Sequence, residues 1–111
     1  MTRRRAALFT LLAVAAVPAL PAPAAADQSC PRDALVILSA VREARYQLEQ
    51  AAEGSVKERC KAWQGQVAAL KRASAFYARC QTGAERDRSI ANANAGVRQF
   101  QDAYNGQCTG R

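Results

Sequence analysis

Four cysteines restrict the fold of this 111-residue chain more than any other feature. An even number of cysteines in an exported domain predicts disulfide bonds rather than free thiols. A cysteine-based metal site does not fit the spacing, because the chain has no C-x-x-C pair and no histidine to complete a ligand set. The pairing depends on export and on the helices that carry the four residues, which are Cys30, Cys60, Cys80 and Cys108.

The first 26 residues have the pattern of a cleaved secretory signal peptide. Three arginines at 3–5 precede an apolar stretch at 6–17, and an A-x-A cleavage motif follows at 24–26. The apolar stretch is shorter than the roughly 20 residues that a transmembrane helix needs. We therefore predict cleavage after Ala26 and a periplasmic or secreted mature domain, residues 27–111, with no stable membrane insertion.

Turn signals divide the mature chain into three helical segments. Gly54 is expected to close the first helix in the left-handed conformation, and a capping box at 55–58 opens the second. A second capping box at 82–85 opens the third helix, and Asn105-Gly106 is expected to end it. The predicted helices span about 31–53, 56–81 and 84–104.

The apolar residues of each segment recur with the 3-4 spacing of a helix that buries one narrow stripe. In the second segment this stripe runs from Val56 to Tyr77, and in the third it runs from Ile90 to Tyr104. Three such helices and two short turns predict an all-α fold, a small antiparallel three-helix bundle with a single seam. A long helical hairpin that dimerises is the alternative. In the first segment the stripe comprises Ala34, Leu38, Val41, Arg45 and Leu48, widened by Leu35 and Ile37.

Helix geometry then leaves one pairing of the cysteines. Cys60 and Cys80 fall in the same helix about 30 Å apart, which is far beyond the reach of a disulfide. Cys30 and Cys60 begin neighbouring antiparallel helices, so they lie at opposite ends of the bundle. The sequence therefore predicts Cys30–Cys80 and Cys60–Cys108, each closing a loop of about 50 residues and contributing roughly 4 kcal/mol. A small domain with an alanine-rich core needs such cross-links.

Composition and charge disfavour two broad classes of function. The 16 basic and 9 acidic residues give a net charge of +7, and loss of the three arginines of the signal peptide lowers it to +4. These charges are spread along all the helices, so nucleic-acid binding is not expected. Without histidine, a free thiolate or a glycine-rich phosphate loop, enzymatic activity is not expected either.

Three carboxylates form a candidate metal site. The bundle brings Asp33, at the start of the first helix, to the same end as Glu85 and Asp87, at the start of the third. Oxygen ligands without histidine or cysteine suit a hard cation such as Ca²⁺ or a lanthanide, which could bridge two copies of the chain. The structural alternative is that the helix dipole and nearby arginines, among them Arg79, stabilise these acidic residues.

Two aromatic residues beside the predicted seam form a candidate surface for a protein partner. Tyr46 and Phe76 fall beside the core stripe, so we expect at least one of them to be exposed and, with Arg42, to anchor a partner. Packing of both rings along the helix surface is the structural alternative. The sequence therefore predicts a non-enzymatic exported binding protein, monomeric or weakly dimeric, that acts through protein contact. A carrier of a hard metal ion is the alternative function. An accessory subunit with no ligand of its own is a third.

Overall fold

A computed structural model of the protein describes residues 28–109, and it confirms the all-α fold. The predicted signal peptide and its cleavage site lie outside the described residues. Helix α1 spans Cys30–Ala51, helix α2 spans Val56–Cys80 and helix α3 spans Gly83–Cys108. Pro31 lies in the first turn of α1, where proline is well tolerated because the first amides of a helix have no intrahelical acceptor.

Helix α2 is the central element of the bundle. It packs against both α1 and α3, whereas within residues 28–109 no Cα atom of α1 comes within 8 Å of one in α3. The three helices therefore form an open layer rather than a closed triangle. Hydrogen bonds from Gln64 to Tyr104 and from Ser74 to Asn94 join α2 to α3. Since α2 has two neighbours, its buried residues lie on two faces instead of a single seam.

Both predicted disulfides are confirmed. Cys30 is bonded to Cys80, with 5.7 Å between their Cα atoms, and Cys60 is bonded to Cys108, with 5.9 Å between theirs. One bond ties the start of α1 to the end of α2, and the other ties the start of α2 to the end of α3. Two disulfides in so small a domain are typical of a protein that folds in an oxidising, extracytoplasmic compartment.

The core is thin. No large side chain is fully buried, and the buried apolar residues are six alanines and one valine. Small side chains allow the helix backbones to approach closely, but each buries little apolar area. The buried apolar residues are Ala44, Ala51, Ala62, Val67, Ala69, Ala73 and Ala93.

The prediction of which face of α1 is buried is wrong. Leu35 is 69% exposed and Leu38 is 46% exposed, although both were expected in the core. Helix α1 contacts only α2, so only one of its faces can be covered, and that face carries the buried Ala44 and Ala51. Val56, expected to begin the stripe of α2, is also exposed.

The turn that joins α1 to α2 differs from the prediction. Gly54 does not have a positive φ, and its amide donates to the carbonyl of Ala51 at 2.9 Å in a tight turn that ends α1 two residues early. The Arg59 guanidinium donates to the Gly54 carbonyl at 2.6 Å. A Cβ atom on Gly54 would meet the carboxylate end of the flexible Glu58 side chain and would lie 3.3 Å from the Ala51 carbonyl oxygen. The backbone conformation at this position does not itself require glycine.

Of the two predicted N-caps, at 55–58 and 82–85, the first forms and the second does not. The Ser55 hydroxyl accepts the Glu58 amide at 3.2 Å, as expected at the start of α2. Thr82 makes no side-chain cap, because Gly83 directly after it adopts φ +63° and changes the path by which the chain enters α3.

Helix α3 continues past the predicted stop at Asn105-Gly106 to Cys108. The disulfide of Cys108 holds this last turn against α2, and the Thr109 hydroxyl donates to the Asn105 carbonyl at 2.6 Å. The glycine at 106 is therefore an interior helical residue instead of a terminator.

Two glycine substitutions are expected to have opposite effects on stability. Gly83→Ala should lower the free energy of unfolding by about 1 kcal/mol, because alanine is strained at φ +63°. Gly106→Ala should raise it by about 0.5–1 kcal/mol, because position 106 is helical and a Cβ there meets nothing within 4 Å. Urea denaturation followed by circular dichroism measures both, and equal shifts would contradict the assigned conformations.

Candidate functional site

A row of exposed residues follows the side of α1 that faces away from α2. Leu35, Leu38, Arg42 and Tyr46 are spaced by three, four and four residues, which places them on one face of the helix. All four are exposed, Tyr46 at 54%. We call these four residues the outer face of α1.

The outer face of α1 has the composition of an interaction surface. Single exposed leucines are common on proteins, but here two exposed leucines lie one turn apart and share one helix face with an exposed tyrosine. Arg42 lies in the middle of the row and adds a charge that can pair with an acidic group. Tyrosine and arginine are the residue types that most often anchor protein interfaces, because they combine apolar area with polar groups.

Leu35 and Leu38 are the functional candidates that sequence reasoning missed. They were assigned to the core because large apolar side chains are usually buried. A second row with the same spacing, displaced by two residues or about 200° around the helix, gives the face that packs on α2. That second row comprises Ile37, Ala40, Ala44 and Leu48. Its two central alanines allow close approach of α2, so they are the sequence feature that could have identified the covered face.

Phe76, predicted with Arg42 and Tyr46, lies elsewhere. It is half-buried and lines a small pocket between α1 and α2, of about 280 Å³, together with Val36 and Ile37. Its ring also contacts Tyr77 edge-on, with 5.8 Å between the centroids. The structure therefore brings Arg42 and Tyr46 together and leaves Phe76 on a different surface.

The three candidate metal-binding carboxylates lie in different surroundings. Asp33 accepts hydrogen bonds from Arg79 at 2.5 Å and from the Ser29 hydroxyl at 3.0 Å, so its charge is balanced as the structural alternative expects. Glu85 and Asp87 are exposed in the first turns of α3. Within residues 28–109, no group of three or more Asp, Glu, Cys or His side chains lies close enough to hold a metal ion. The metal site stays a prediction.

A groove of about 760 Å³ runs between α1 and α2. Its charged residues are two acids and two bases, Glu43, Glu58, Lys61 and Arg72, so the groove is electrically balanced. We call it the alanine groove, because most of its other lining residues are small: Ala40, Ala44, Ala51, Ala62, Gly65, Ala68 and Ala69.

In comparisons with known proteins, the chain matches no protein-family model, no curated protein and no solved structure. Inferences about function therefore depend on the chemistry of its own residues. Among the described helices α1, α2 and α3, none is both long and apolar enough to cross a membrane.

Proposed function

We propose that this protein is a non-enzymatic, exported binding protein, and that the outer face of α1 binds a protein partner. The exposure of Leu35 supports this proposal most directly. The chain places Ala44 and Ala51 of α1 against α2 and leaves Leu35 and Leu38 in water, although burying a leucine side chain would stabilise the fold by about 1.5–3 kcal/mol. A surface that binds a partner gives a physical reason for this arrangement.

The periplasm or the extracellular medium is the compartment that we propose for this binding. The sequence pattern of the first 26 residues and the two disulfides both favour it.

The outer face of α1 also specifies the chemistry of its partner. Leu35 and Leu38 need an apolar depression, and Arg42 needs an acidic group at its edge. Tyr46 suits a position that is apolar on one side and hydrogen-bonded on the other. Because the disulfide at Cys30 holds the start of α1, this surface is ordered before binding, which lowers the entropic cost of association.

Site-specific photocrosslinking tests this proposal. A photoreactive amino acid replaces Leu35, Tyr46 or Val56 in the full chain, which is expressed in a host that exports it. Val56 is the matched control, because it is 50% exposed but lies on α2. We expect one discrete heteromeric adduct from positions 35 and 46 and none from position 56. Equal labelling at all three positions, or no adduct at 35 and 46, would refute the proposal.

Loss of either of two anchors is expected to weaken binding without unfolding the protein. For the partner identified by crosslinking, Leu35→Ser and Tyr46→Ser should each raise Kd by about thirtyfold, the effect of removing an interface hot spot. Both side chains are exposed, so the helical circular dichroism signal should not change. Val56→Ser is the control, and an effect equal to that of Leu35→Ser would contradict the assigned surface.

The metal-carrier alternative makes a different prediction. A native mass spectrum of the exported protein in Ca²⁺ would then show bound metal, and Glu85→Gln with Asp87→Asn would remove it. Such a result, together with the absence of an adduct at position 35, would replace the proposal.

A further inference from the structure

We infer that two copies of this chain associate through α2, antiparallel, with Gly65 at the crossing point. This inference goes beyond the proposed function and uses a different surface, since the alanine groove does not include the outer face of α1. The partner is a second copy of the chain. Two properties of α2 support it: the exposure of Gly65 and the symmetric placing of charges about it.

Gly65 has no structural role within its own chain. It is exposed in the middle of α2, and a Cβ atom built on it would meet nothing within 4 Å. Glycine inside a helix lowers stability relative to alanine, because its unfolded backbone has more freedom. A close approach by another backbone is a physical reason to have glycine at such a position. No backbone of this chain makes that approach within residues 28–109.

Opposite charges lie symmetrically about this glycine. Glu58 precedes Gly65 by seven residues and Arg72 follows it by seven, so each lies two turns away on the same face of α2. When two α2 helices cross antiparallel at Gly65, Glu58 of each copy faces Arg72 of the other. A parallel crossing would place like charges together, which sets the orientation.

Small residues occupy the space between these two charged positions. Ala62 and Ala68 lie three residues to either side of Gly65 and line the groove with it. In the antiparallel arrangement each faces the other in the second copy, so the helices can approach closely around the crossing.

Glu58 and Arg72 of each copy thus find an opposite charge across one twofold axis. Within residues 28–109, neither Glu58, Lys61 nor Arg72 forms an ion pair in its own chain. A surface that is neutral overall and complementary to itself is what a twofold dimer requires. A partner of unrelated sequence would need to reproduce the same order of charges.

Charge reversal tests the dimer. The protein is recovered from the exported fraction of a host that expresses the full chain, and its mass is measured by sedimentation from about 1 µM to 1 mM. We expect the mass to rise to twice that of the monomer. Glu58→Arg and Arg72→Glu should each raise the dimer Kd by about tenfold or more, since twofold symmetry turns two attractive pairs repulsive. The double variant should restore the dimer.

Two further variants provide a charge control and a steric test of the dimer. Lys71→Glu carries the same charge change as Arg72→Glu but lies outside the alanine groove, so it should leave the dimer unchanged. Gly65→Leu should keep the helical signal, because leucine favours helix, and should abolish the dimer by blocking close approach.

Several results would overturn the inference: a monomer at every concentration, a dimer unaffected by either single reversal, a double variant that stays dissociated, or a dimer that persists in Gly65→Leu. Leu35→Ser with Tyr46→Ser should leave the dimer intact, so loss of the dimer and loss of partner binding are separate results.

Discussion

Reduction of both disulfides is expected to unfold this protein at room temperature. The buried apolar residues are six alanines and Val67, and no large side chain is fully buried. The two bonds close loops with sequence separations of 50 and 48, and loop-closure entropy assigns about 4 kcal/mol to each. Their sum is comparable with the total stability of a typical domain, about 5–15 kcal/mol. Helical circular dichroism with and without a reductant measures the effect.

Separate removal of each disulfide provides the control. Cys30→Ser with Cys80→Ser releases the start of α1, and Cys60→Ser with Cys108→Ser releases the end of α3. Because the loops are nearly equal, both double variants should lose about 4 kcal/mol in urea denaturation. A fully reduced protein that still unfolds cooperatively from a helical state would show that helix packing alone is sufficient.

A charge placed at the most buried alanine is expected to lower the free energy of unfolding strongly. Ala73 is 1% exposed and lines a small pocket together with Val41 of α1 and Ala93 of α3. Ala73→Asp would bury a carboxylate with no cation designed to meet it, which should cost about 3 kcal/mol or more. Urea denaturation of the oxidised protein measures this loss.

The matched control is two residues further along the same helix. Ala75 is exposed, so Ala75→Asp should cost only the difference in helix propensity, at most about 0.7 kcal/mol. Equal losses for the two variants would contradict the burial of Ala73 and with it the packing of the three helices.

Local sequence patterns predicted most of the fold. The 3.6-residue period and the turn residues identified three helices, since both depend on neighbours along the chain. The rise per residue then excluded a bond between Cys60 and Cys80, and the antiparallel order excluded Cys30 with Cys60. The same order brought Asp33 near Arg79, which the structure confirms as an ion pair.

Local patterns were not sufficient for the turns. The glycine with φ +63° is Gly83, whereas the sequence suggested Gly54. Both glycines lie beside a predicted turn, and the path of the chain into the following helix decides which of them takes a positive φ. Likewise, the disulfide of Cys108 continues α3 past Gly106, which is a tertiary effect on a local signal.

Identification of the candidate surfaces required the tertiary structure more than identification of the helices did. Tyr46 and Arg42 were identified from the sequence, but Leu35 and Leu38 were placed in the core. Glu58, Gly65 and Arg72 are evenly spaced in the sequence, yet their significance follows from the open space above Gly65.

The sequence by itself determined that this chain forms three helices with a particular disulfide pairing, because helical period and rise are properties of a single segment. Tertiary structure decided which face of each helix is covered. Helix α1 carries two rows with the same spacing, and the helical period alone does not distinguish them. The row with central alanines is covered because α2 can approach it closely, and the row with Leu35 and Tyr46 therefore lies in solvent.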